Sequence, residues 1–286
     1  MKRIINILIL LLASQSLSAQ EVVKLWGDHP DDYRKKAVKL YYYAPEQSNG
    51  KAIIFCPGGS YCYLSMFYEG HNPAKYFASL GYSAFVLEYR RGMKGNRYPS
   101  QISDLQKAMV HIRTNAGKYH VENGKLAVCG FSAGGHLVGI SGVYWQKSYV
   151  YIPEGFDNQI VRPDAVAMIY PVVSMQDEIA HRKSRRNLLG QGYSKALKDS
   201  MSLELNVNPQ MPPVLVLACE DDPIVDYHNA VEMNRALDAQ GVTHRFLLHK
   251  TGGHGFGISP EKIKSDDKSA AEWHKEFIKL LEETGF

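Results

Sequence analysis

The stretch KLAVCGFSAGGHL, residues 125–137, decides how this chain folds. It begins with a mostly apolar run typical of a buried strand and continues, after Ser132, with small residues typical of a tightly packed helix. Between them, Gly130 to Gly134 fit the pattern G-x-S-x-G, in which a serine occupies a sharp strand-to-helix turn. Small neighbours let the strand and the helix approach, so that the serine oxygen projects from the sheet. We therefore predict that Ser132 is a nucleophile; the alternative is a serine that only caps the helix.

Outward from this stretch, apolar runs alternate with helical patterns in both directions. We predict strands at residues 39–44, 52–56, 84–89, 125–129, 165–170, 214–218 and 244–249. We predict helices at residues 71–80, 100–119, 132–145, 227–239 and 267–283. Strands that are apolar on both faces and alternate with helices indicate an α/β fold, with a mostly parallel twisted sheet covered on both faces. Residues 172–210 interrupt the alternation, and we interpret them as an insertion over the carboxyl edge of the sheet.

A serine nucleophile needs a base, and the motif GGHGFG at residues 252–257 offers His254. Four glycines make a poor setting for a core histidine, but they suit a loop that brings an imidazole to the serine. His254 is therefore the predicted base, and His249, at the end of a strand, is the reserve. His136, one turn into the helix after the serine, is predicted to pack against a strand.

The base needs an acid to orient it, and Glu220-Asp221-Asp222 follows the strand at residues 214–218. Asp222 is the favoured acid because Pro223 fixes the turn that follows it. Asp221 and Glu220 remain open alternatives, and Asp164 is a remote one.

A third element, CPGGSY at residues 56–61, follows the strand at residues 52–56, where an oxyanion-hole loop belongs. The backbone N–H groups of Gly59 or Ser60, together with that of Ala133, are predicted to bind the oxyanion. Aromatic side chains follow the loop, and they either stack on sugar rings or simply pack against it. These are Tyr61, Tyr63, Phe67 and Tyr68.

Charge and cysteine spacing exclude several kinds of partner and binding site. The formal net charge is only +4, and the positive residues are scattered apart from a cluster at residues 182–186, so we predict no nucleic-acid partner. No cysteine pair has C-x-x-C spacing, so no zinc or redox site is predicted. Buried thiols are the favoured interpretation of the cysteines, although disulfides Cys56–Cys62 or Cys129–Cys219 remain open.

Residues 1–19 have the pattern of a secretory signal peptide. Lys2 and Arg3 precede an apolar run over residues 4–13, and Ala19 offers a cleavage position. An uncleaved membrane anchor is the alternative. We predict a secreted or periplasmic protein without stable membrane insertion, whose residues 20–286 form a single domain.

Taken together, these motifs resemble the α/β-hydrolase superfamily, and within it the bacterial carbohydrate-acetylesterase and acetyl-xylan-esterase-like members related to hormone-sensitive lipase. Two departures lie in the oxyanion loop, where Pro57 replaces a frequent histidine and Ser60 a frequent third glycine. Two others are Asp226, where proline often stands, and Glu220 before the acidic pair. The stretches that carry the resemblance are CPGGSY at 56–61, GYSAFVLEYR at 81–90, DLQKAMVHIRTNA at 104–116, GFSAGGHL at 130–137, MPPVLVLACEDDPIV at 211–225 and GGHGFG at 252–257.

The resemblance implies a Ser132–Asp222–His254 triad in a serine esterase that needs no metal or organic cofactor. It also implies a small-molecule or oligosaccharide ester as substrate, an acetylated sugar from a plant polysaccharide such as xylan. A feruloyl or general short-chain carboxylesterase is the alternative, and a non-catalytic binding protein of this fold is a remote one. The length leaves no room for the gating domain of a related peptidase, and residues 176–200 are too charged for a lipase lid. The oligomeric state stays open.

Overall fold

The computed structural model describes residues 21–28, 31–92 and 95–286. In these ranges one sheet contains eight strands, in the order β1-β2-β4-β3-β5-β6-β7-β8. Numbered along the chain, they are β1 Glu21–Lys24, β2 Lys39–Tyr43, β3 Ala52–Cys56, β4 Ser83–Glu88, β5 Leu126–Phe131, β6 Ala165–Ile169, β7 Val214–Cys219 and β8 His244–His249.

The helices cover both faces of the sheet. Short 3-10 segments and one π-turn, Phe67–His71, complete the connections. The α-helices are α1 Asn72–Ser79, α2 Ser100–Thr114, α3 Ala116–Tyr119, α4 Ala133–Val143, α5 Arg182–Leu189, α6 Lys195–Ser200, α7 His228–Ala239 and α8 Trp273–Glu283.

The strands β3 to β8 are parallel, whereas β1 and β2 add an antiparallel edge. The predicted mostly parallel sheet is therefore confirmed. Because parallel strands end at the same edge, the chain segments that follow β3, β5, β6, β7 and β8 emerge together. In register, Cys56 at the end of β3 pairs with Gly130, and Phe131 pairs with Ile169.

Two apolar layers hold the sheet between its helices. One layer packs Phe77 of α1 and Trp273 and Phe277 of α8 against side chains such as Phe55 and Leu217. The other packs the helices α2, α4 and α7 against the opposite face of the same strands. Central strands such as β3, β5 and β6 are buried at every residue, which explains their unbroken apolar runs.

Some predicted boundaries differ from the structure for local reasons. The helix predicted over residues 100–119 breaks at Asn115, whose backbone is not helical and which caps both α2 and α3. The strand β1 was not predicted, because a four-residue edge strand with alternating burial carries a weak pattern. Residues 172–210, interpreted from the sequence as an insertion, contain the two helices α5 and α6.

The segment containing α5 and α6 lies over the loops that follow the parallel strands. Asn187 donates from Nδ2 to the carbonyl oxygen of Ser60 at 2.8 Å, and the backbone N–H of Leu203 donates to Val173 at 3.1 Å. This segment, residues 172–210, therefore covers the carboxyl edge of the sheet, and we call it the roof segment.

The structure tests the two possible disulfides but not the predicted signal peptide. The predicted signal peptide, residues 1–19, lies outside the described residues. Across the three described ranges, no helix combines the length and apolarity that crossing a bilayer requires. Cys56, Cys129 and Cys219 are buried, unbridged thiols, so neither the Cys56–Cys62 nor the Cys129–Cys219 disulfide forms.

Candidate active site

Ser132 lies between β5 and α4 in a strained backbone conformation, with φ of 53° and ψ of −118°. A Cβ atom at Gly130 would collide with the backbone of Gly134, and one at Gly134 would collide with the carbonyl of Cys56. The two glycines are therefore required by close approach of strand and helix. The Ser132 backbone is held by its own N–H, which donates to Ile169 O at 3.0 Å, and by its carbonyl, which accepts from Val172 N at 3.1 Å.

His254 reaches Ser132 from the loop after β8. Its Nε2 atom lies 2.9 Å from Ser132 Oγ, and its Nδ1 atom lies 2.6 Å from Asp222 Oδ2. An ionised carboxylate only accepts, so Nδ1 carries the proton and Nε2 is left to accept from the serine hydroxyl. The ring packs against Tyr170, with 4.6 Å between ring centroids. The structure thus brings together three side chains that are far apart in sequence.

Asp222 is the carboxylate that faces the histidine. Its other oxygen, Oδ1, accepts from the backbone N–H groups of Ile224 at 2.8 Å and Val225 at 3.0 Å. The Asp222 side chain is only 2% exposed, so water competes little for these bonds. This turn, set by Pro223, fixes the carboxylate before any substrate arrives.

The other acidic candidates have different partners. Asp221 accepts from the N–H groups of Gly253 at 2.8 Å and Gly252 at 3.3 Å, and so anchors the histidine loop instead. Glu220 pairs with the exposed Lys250 at 2.7 Å. Asp164 pairs with Arg113 at 2.8 Å and lies at the amino edge of the sheet, beside the start of β5. The reserve base, His249, contacts Ser269 at 3.1 Å.

The loop after β3 runs against the nucleophile. A Cβ atom at Gly58 would lie 2.8 Å from Ser132 Cβ, so only glycine allows this approach. Gly59, Ser60 and Tyr61 all have positive φ, at 128°, 57° and 56°. Gly58 N–H donates to Glu69 at 2.9 Å, whereas the N–H groups of Gly59 and Ser60 have no partner among the described residues. Ala133 N–H belongs to the first turn of α4, where helix N–H groups lack intrahelical partners.

One of the four predicted site aromatics, Tyr61, differs from the other three. Tyr61 is 0% exposed, so it is withdrawn as a platform for a sugar ring. Its hydroxyl lies 2.9 Å from His136 Nδ1, and His136 Nε2 donates to Met201 O at 2.8 Å. His136 is therefore not simply packed against a strand but ties the oxyanion loop to the roof segment. Burial lowers the pKa of His136 to about 4, which keeps this bridging imidazole neutral.

The remaining aromatic side chains of this loop stay accessible. Tyr63 is 54% exposed and Phe67 is 57% exposed, while Tyr68 is partly buried. The Lys183 ammonium group lies 6.0 Å from the centre of the Tyr63 ring. A cavity of about 530 Å³ opens next to this part of the roof, lined by Arg182, Lys183, Arg186, Gln191 and Tyr193 among others.

Sequence reasoning missed Glu69 and Tyr170, which lie directly behind the site. Glu69 accepts from Gly58 and, at 2.9 Å, from the Tyr170 hydroxyl. No local motif marked Glu69, since it sits in an irregular turn. Tyr170 carried one usable signal, its position at the carboxyl end of a buried strand, directly before Pro171.

As for metals, no group of three or more His, Cys, Asp or Glu side chains in the described ranges is arranged to hold an ion.

Comparison with known proteins gives one family match and several relatives. The family model described as BD-FAE matches residues 38–237. An acetylxylan esterase of Xylanibacter ruminicola is 27% identical over 96% of this chain and 52% of its own length. An endo-1,4-β-xylanase B of Butyrivibrio fibrisolvens is 31% identical over 74% of this chain and 33% of its own length. The chain thus spans about half and a third of these two relatives.

Among solved structures, an acetyl ester-xyloside bifunctional hydrolase from Caldicellulosiruptor lactoaceticus superposes with a TM-score of 0.76. It is 27% identical, and the match covers 87% of this chain and 89% of that one. The similarity therefore extends over nearly the whole of both folds.

Proposed function

The chain belongs to the BD-FAE family, in the acetyl-xylan-esterase-like branch of the α/β-hydrolases, and on that premise we propose that it is a serine esterase. Its proposed triad is Ser132, His254 and Asp222, and its proposed oxyanion donors are the N–H groups of Gly59, Ser60 and Ala133. One observation carries the proposal: the continuous hydrogen-bonded line from Ser132 Oγ through His254 to Asp222, at 2.9 and 2.6 Å.

The proposed reaction has two halves. Ser132 Oγ attacks the ester carbonyl while His254 Nε2 takes the hydroxyl proton, and the same proton then passes to the leaving alcohol. Asp222 holds the imidazole in the tautomer that can accept, and it stabilises the imidazolium that forms. Water next attacks the acyl-enzyme, with His254 again acting as the base, and releases the acid. All of these steps use groups that the fold holds in place beforehand.

Charge on the carbonyl oxygen would be stabilised by backbone donors. The positive φ values at Gly59 and Ser60 turn this backbone away from regular pairing, which supports their assignment as donors. Ala133 N–H lies at the positive end of α4, where a developing negative charge is favoured. Losing one such donor typically costs about 10²–10³ in rate.

We further propose acetylated sugars of the xylan type as substrates. The support is the printed identity of the relatives, an acetylxylan esterase and an acetyl ester-xyloside hydrolase, together with the exposed rings of Tyr63 and Phe67. Flat aromatic faces on the segment that follows the proposed oxyanion donors suit an apolar sugar face. Residues 20–286 would form the catalytic domain, and residues 1–19 would direct export before cleavage.

The first experiment tests the nucleophile with p-nitrophenyl acetate. Ser132→Ala is expected to lower kcat by at least about 10⁴-fold, because the other groups cannot form the acyl-enzyme. Ser141→Ala is the matched control. Ser141 is a buried serine of α4, the helix that follows Ser132, and its hydroxyl donates to Val138 O at 2.7 Å. Ser141→Ala should retain kcat. Full activity in Ser132→Ala, with the native circular dichroism spectrum, would overturn the proposed triad.

A second experiment tests the substrate. The purified protein is given acetyl, butyryl and feruloyl esters, then acetylated xylo-oligosaccharides, and kcat/KM is compared. Preference for acetyl esters and release of acetate from the oligosaccharides is the expected result. A higher kcat/KM on feruloyl esters would reject the acetyl specificity while leaving the serine esterase proposal intact.

A further inference from the structure

Behind the proposed oxyanion loop lies a buried carboxyl group that the reaction above does not use. Glu69 is 3% exposed and belongs to the π-turn Phe67–His71. Such turns insert one extra residue per helical turn and occur often at functional sites. Within the described ranges Glu69 forms no ion pair, so its partners are polar but uncharged groups.

Glu69 links two loops that both contact the proposed catalytic groups. Its Oε2 atom accepts from Gly58 N–H in the oxyanion loop at 2.9 Å. Its Oε1 atom accepts from the Tyr170 hydroxyl at 2.9 Å, and that hydroxyl in turn accepts from Gly257 N–H, in the histidine loop, at 3.0 Å. One carboxylate and one hydroxyl thus connect the backbone on either side of Ser132.

Both ends of this connection lie close to the chemistry. Gly58 packs so tightly on Ser132 that a Cβ atom there would come within 2.8 Å of the serine Cβ. At the other end, the Tyr170 ring lies 4.6 Å from the His254 ring. In addition, a Cβ atom at Gly257 would collide with the carbonyl of Tyr68, next to Glu69. The histidine loop therefore rests directly on the turn that carries Glu69.

We propose that Glu69 is a positioning residue that fixes the oxyanion loop and the His254 loop relative to each other, an inference that rests on the proposed esterase function. By occupying Gly58 N–H, Glu69 sets the peptide orientation from which the next two N–H groups face the substrate oxygen. Through Tyr170, Glu69 also fixes the position of the loop that carries His254. Its effect on catalysis is therefore transmitted through other groups rather than by contact with the substrate.

The charge of Glu69 has a second consequence. Burial raises the pKa of Glu69, whereas the two hydrogen bonds donated by Gly58 N–H and the Tyr170 hydroxyl favour the carboxylate. Glu69 and the imidazolium of His254 attract each other. The carboxylate would thus favour the protonated histidine that forms during acyl transfer. The other titratable groups facing this pair are Tyr89, Cys129, Tyr170, Asp222 and His181.

The decisive variant is Glu69→Gln, which keeps the size of the side chain and removes its charge. With p-nitrophenyl acetate we expect kcat to fall by about 10–100-fold with KM changed by less than about 3-fold, because an interaction specific to the transition state is weakened. We also expect the midpoint of the acidic limb of kcat/KM against pH to move to lower pH. Glu204→Gln is the matched control, since Glu204 is a partly buried carboxyl that accepts from Ser174 at 2.6 Å, away from the triad. It should change neither quantity.

A second variant keeps the inference testable if Glu69→Gln does not fold. Tyr170→Phe removes only the bridging hydroxyl, and it should lower kcat by about 10-fold at unchanged KM. The double variant should lose little beyond the larger single loss, because both residues act through one connection. Wild-type kcat and pH profile in folded Glu69→Gln or Tyr170→Phe would overturn the positioning role. Should that occur while Ser132→Ala is inactive, the serine esterase proposal would stand and only the role of Glu69 would fall.

Discussion

The two edges of the parallel sheet are built from similar residue types but are organised differently. At the carboxyl edge, four non-glycine residues adopt positive φ directly after β3, β5 and β6: Ser60, Tyr61, Ser132 and Tyr170. At the amino edge, Asp164 accepts from Arg113 at 2.8 Å and from the Leu126 backbone at 2.9 Å. At the carboxyl edge, strained backbone thus adjoins the proton-sharing contacts of Ser132, His254 and Asp222, whereas at the amino edge Asp164 is paired with a permanent cation.

This contrast shows which contacts serve the fold and which serve the site. A carboxylate bound to arginine has a partner whose charge does not change, so its contribution is constant stability. A carboxylate bound to histidine, such as Asp222, has a partner that can gain a proton during a reaction. Strained conformations persist only where the surrounding structure over-determines them, and they cluster at functional sites. Substitutions at the two edges should therefore have separable effects.

The largest expected effect concerns neighbouring carboxylates at the carboxyl edge. Asp222→Asn should lower kcat/KM by about 10³–10⁴-fold, because an amide cannot hold the histidine tautomer that accepts from Ser132. Asp221→Asn should cost less than about 10-fold, since Asp221 binds only the N–H groups of Gly252 and Gly253. Steady-state kinetics with p-nitrophenyl acetate measure both. The reverse order would move the acid role to Asp221.

The next effect concerns stability against pH. The folded pKa of His136 is about 4, below the 6.5 of an unperturbed histidine, so as pH falls the unfolded chain takes up this proton first. The neutral imidazole therefore makes its full contribution to the free energy of unfolding above about pH 6.5. Between about pH 6.5 and about pH 4 this contribution falls by about 3 kcal/mol. Urea unfolding of wild type and His136→Gln at pH 7 and pH 4.5 isolates the contribution. Equal pH dependence in the two proteins would show that His136 does not titrate this way.

At the amino edge, Asp164→Asn should lower the free energy of unfolding by about 1–3 kcal/mol, because Arg113 and Leu126 lose a charged acceptor. The kcat on p-nitrophenyl acetate should stay within 2-fold, roughly the error of such comparisons, since no contact of Asp164 reaches the triad. Thermal unfolding and steady-state kinetics check the two halves. A large loss of kcat in a folded Asp164→Asn protein would break the proposed separation of the two edges.

The smallest effect concerns the exposed rings at the carboxyl edge. Tyr63→Ala and Phe67→Ala should each raise KM for acetylated xylo-oligosaccharides by about 3–10-fold, because each removes about 1 kcal/mol of ring contact. Neither should change kinetics on p-nitrophenyl acetate. Phe156→Ala is the control, since Phe156 is a similarly exposed ring that lines a cavity with Arg113 and Asp164 at the amino edge. Unchanged KM in both loop variants would remove these rings from the sugar-binding proposal.

The amino-acid sequence alone was enough for those features whose signal is local. The apolar run at residues 52–56 gives the strand β3 at its observed bounds, and residues 244–249 likewise give β8. Gly130 and Gly134 flank Ser132 at the spacing that is typical of a sharp strand-to-helix turn. The glycines around His254 mark a loop that must follow an unusual backbone path.

Other features depend on residues that meet only in the folded chain. Nothing local distinguishes Asp221 from Asp222: one turns toward backbone N–H groups and the other toward an imidazole, 2.6 Å away. The same holds for Tyr61, buried by its contact with His136, and for Glu69, whose partners Gly58 and Tyr170 come from separate strand ends.

The division has a physical cause. Periodicity and glycine spacing indicate the conformation of a few adjacent residues. Backbone sterics impose that conformation wherever the segment lies in the fold. Parallel pairing of β3, β5, β6, β7 and β8 then gathers distant loops at one edge, and side-chain partners there are chosen by packing and hydrogen bonding across the sheet. The chain's own order of residues thus determined the central strands, most of the long helices and the turn that carries Ser132. Only the assembled sheet decided which carboxylate faces the histidine and which one ties the two loops together.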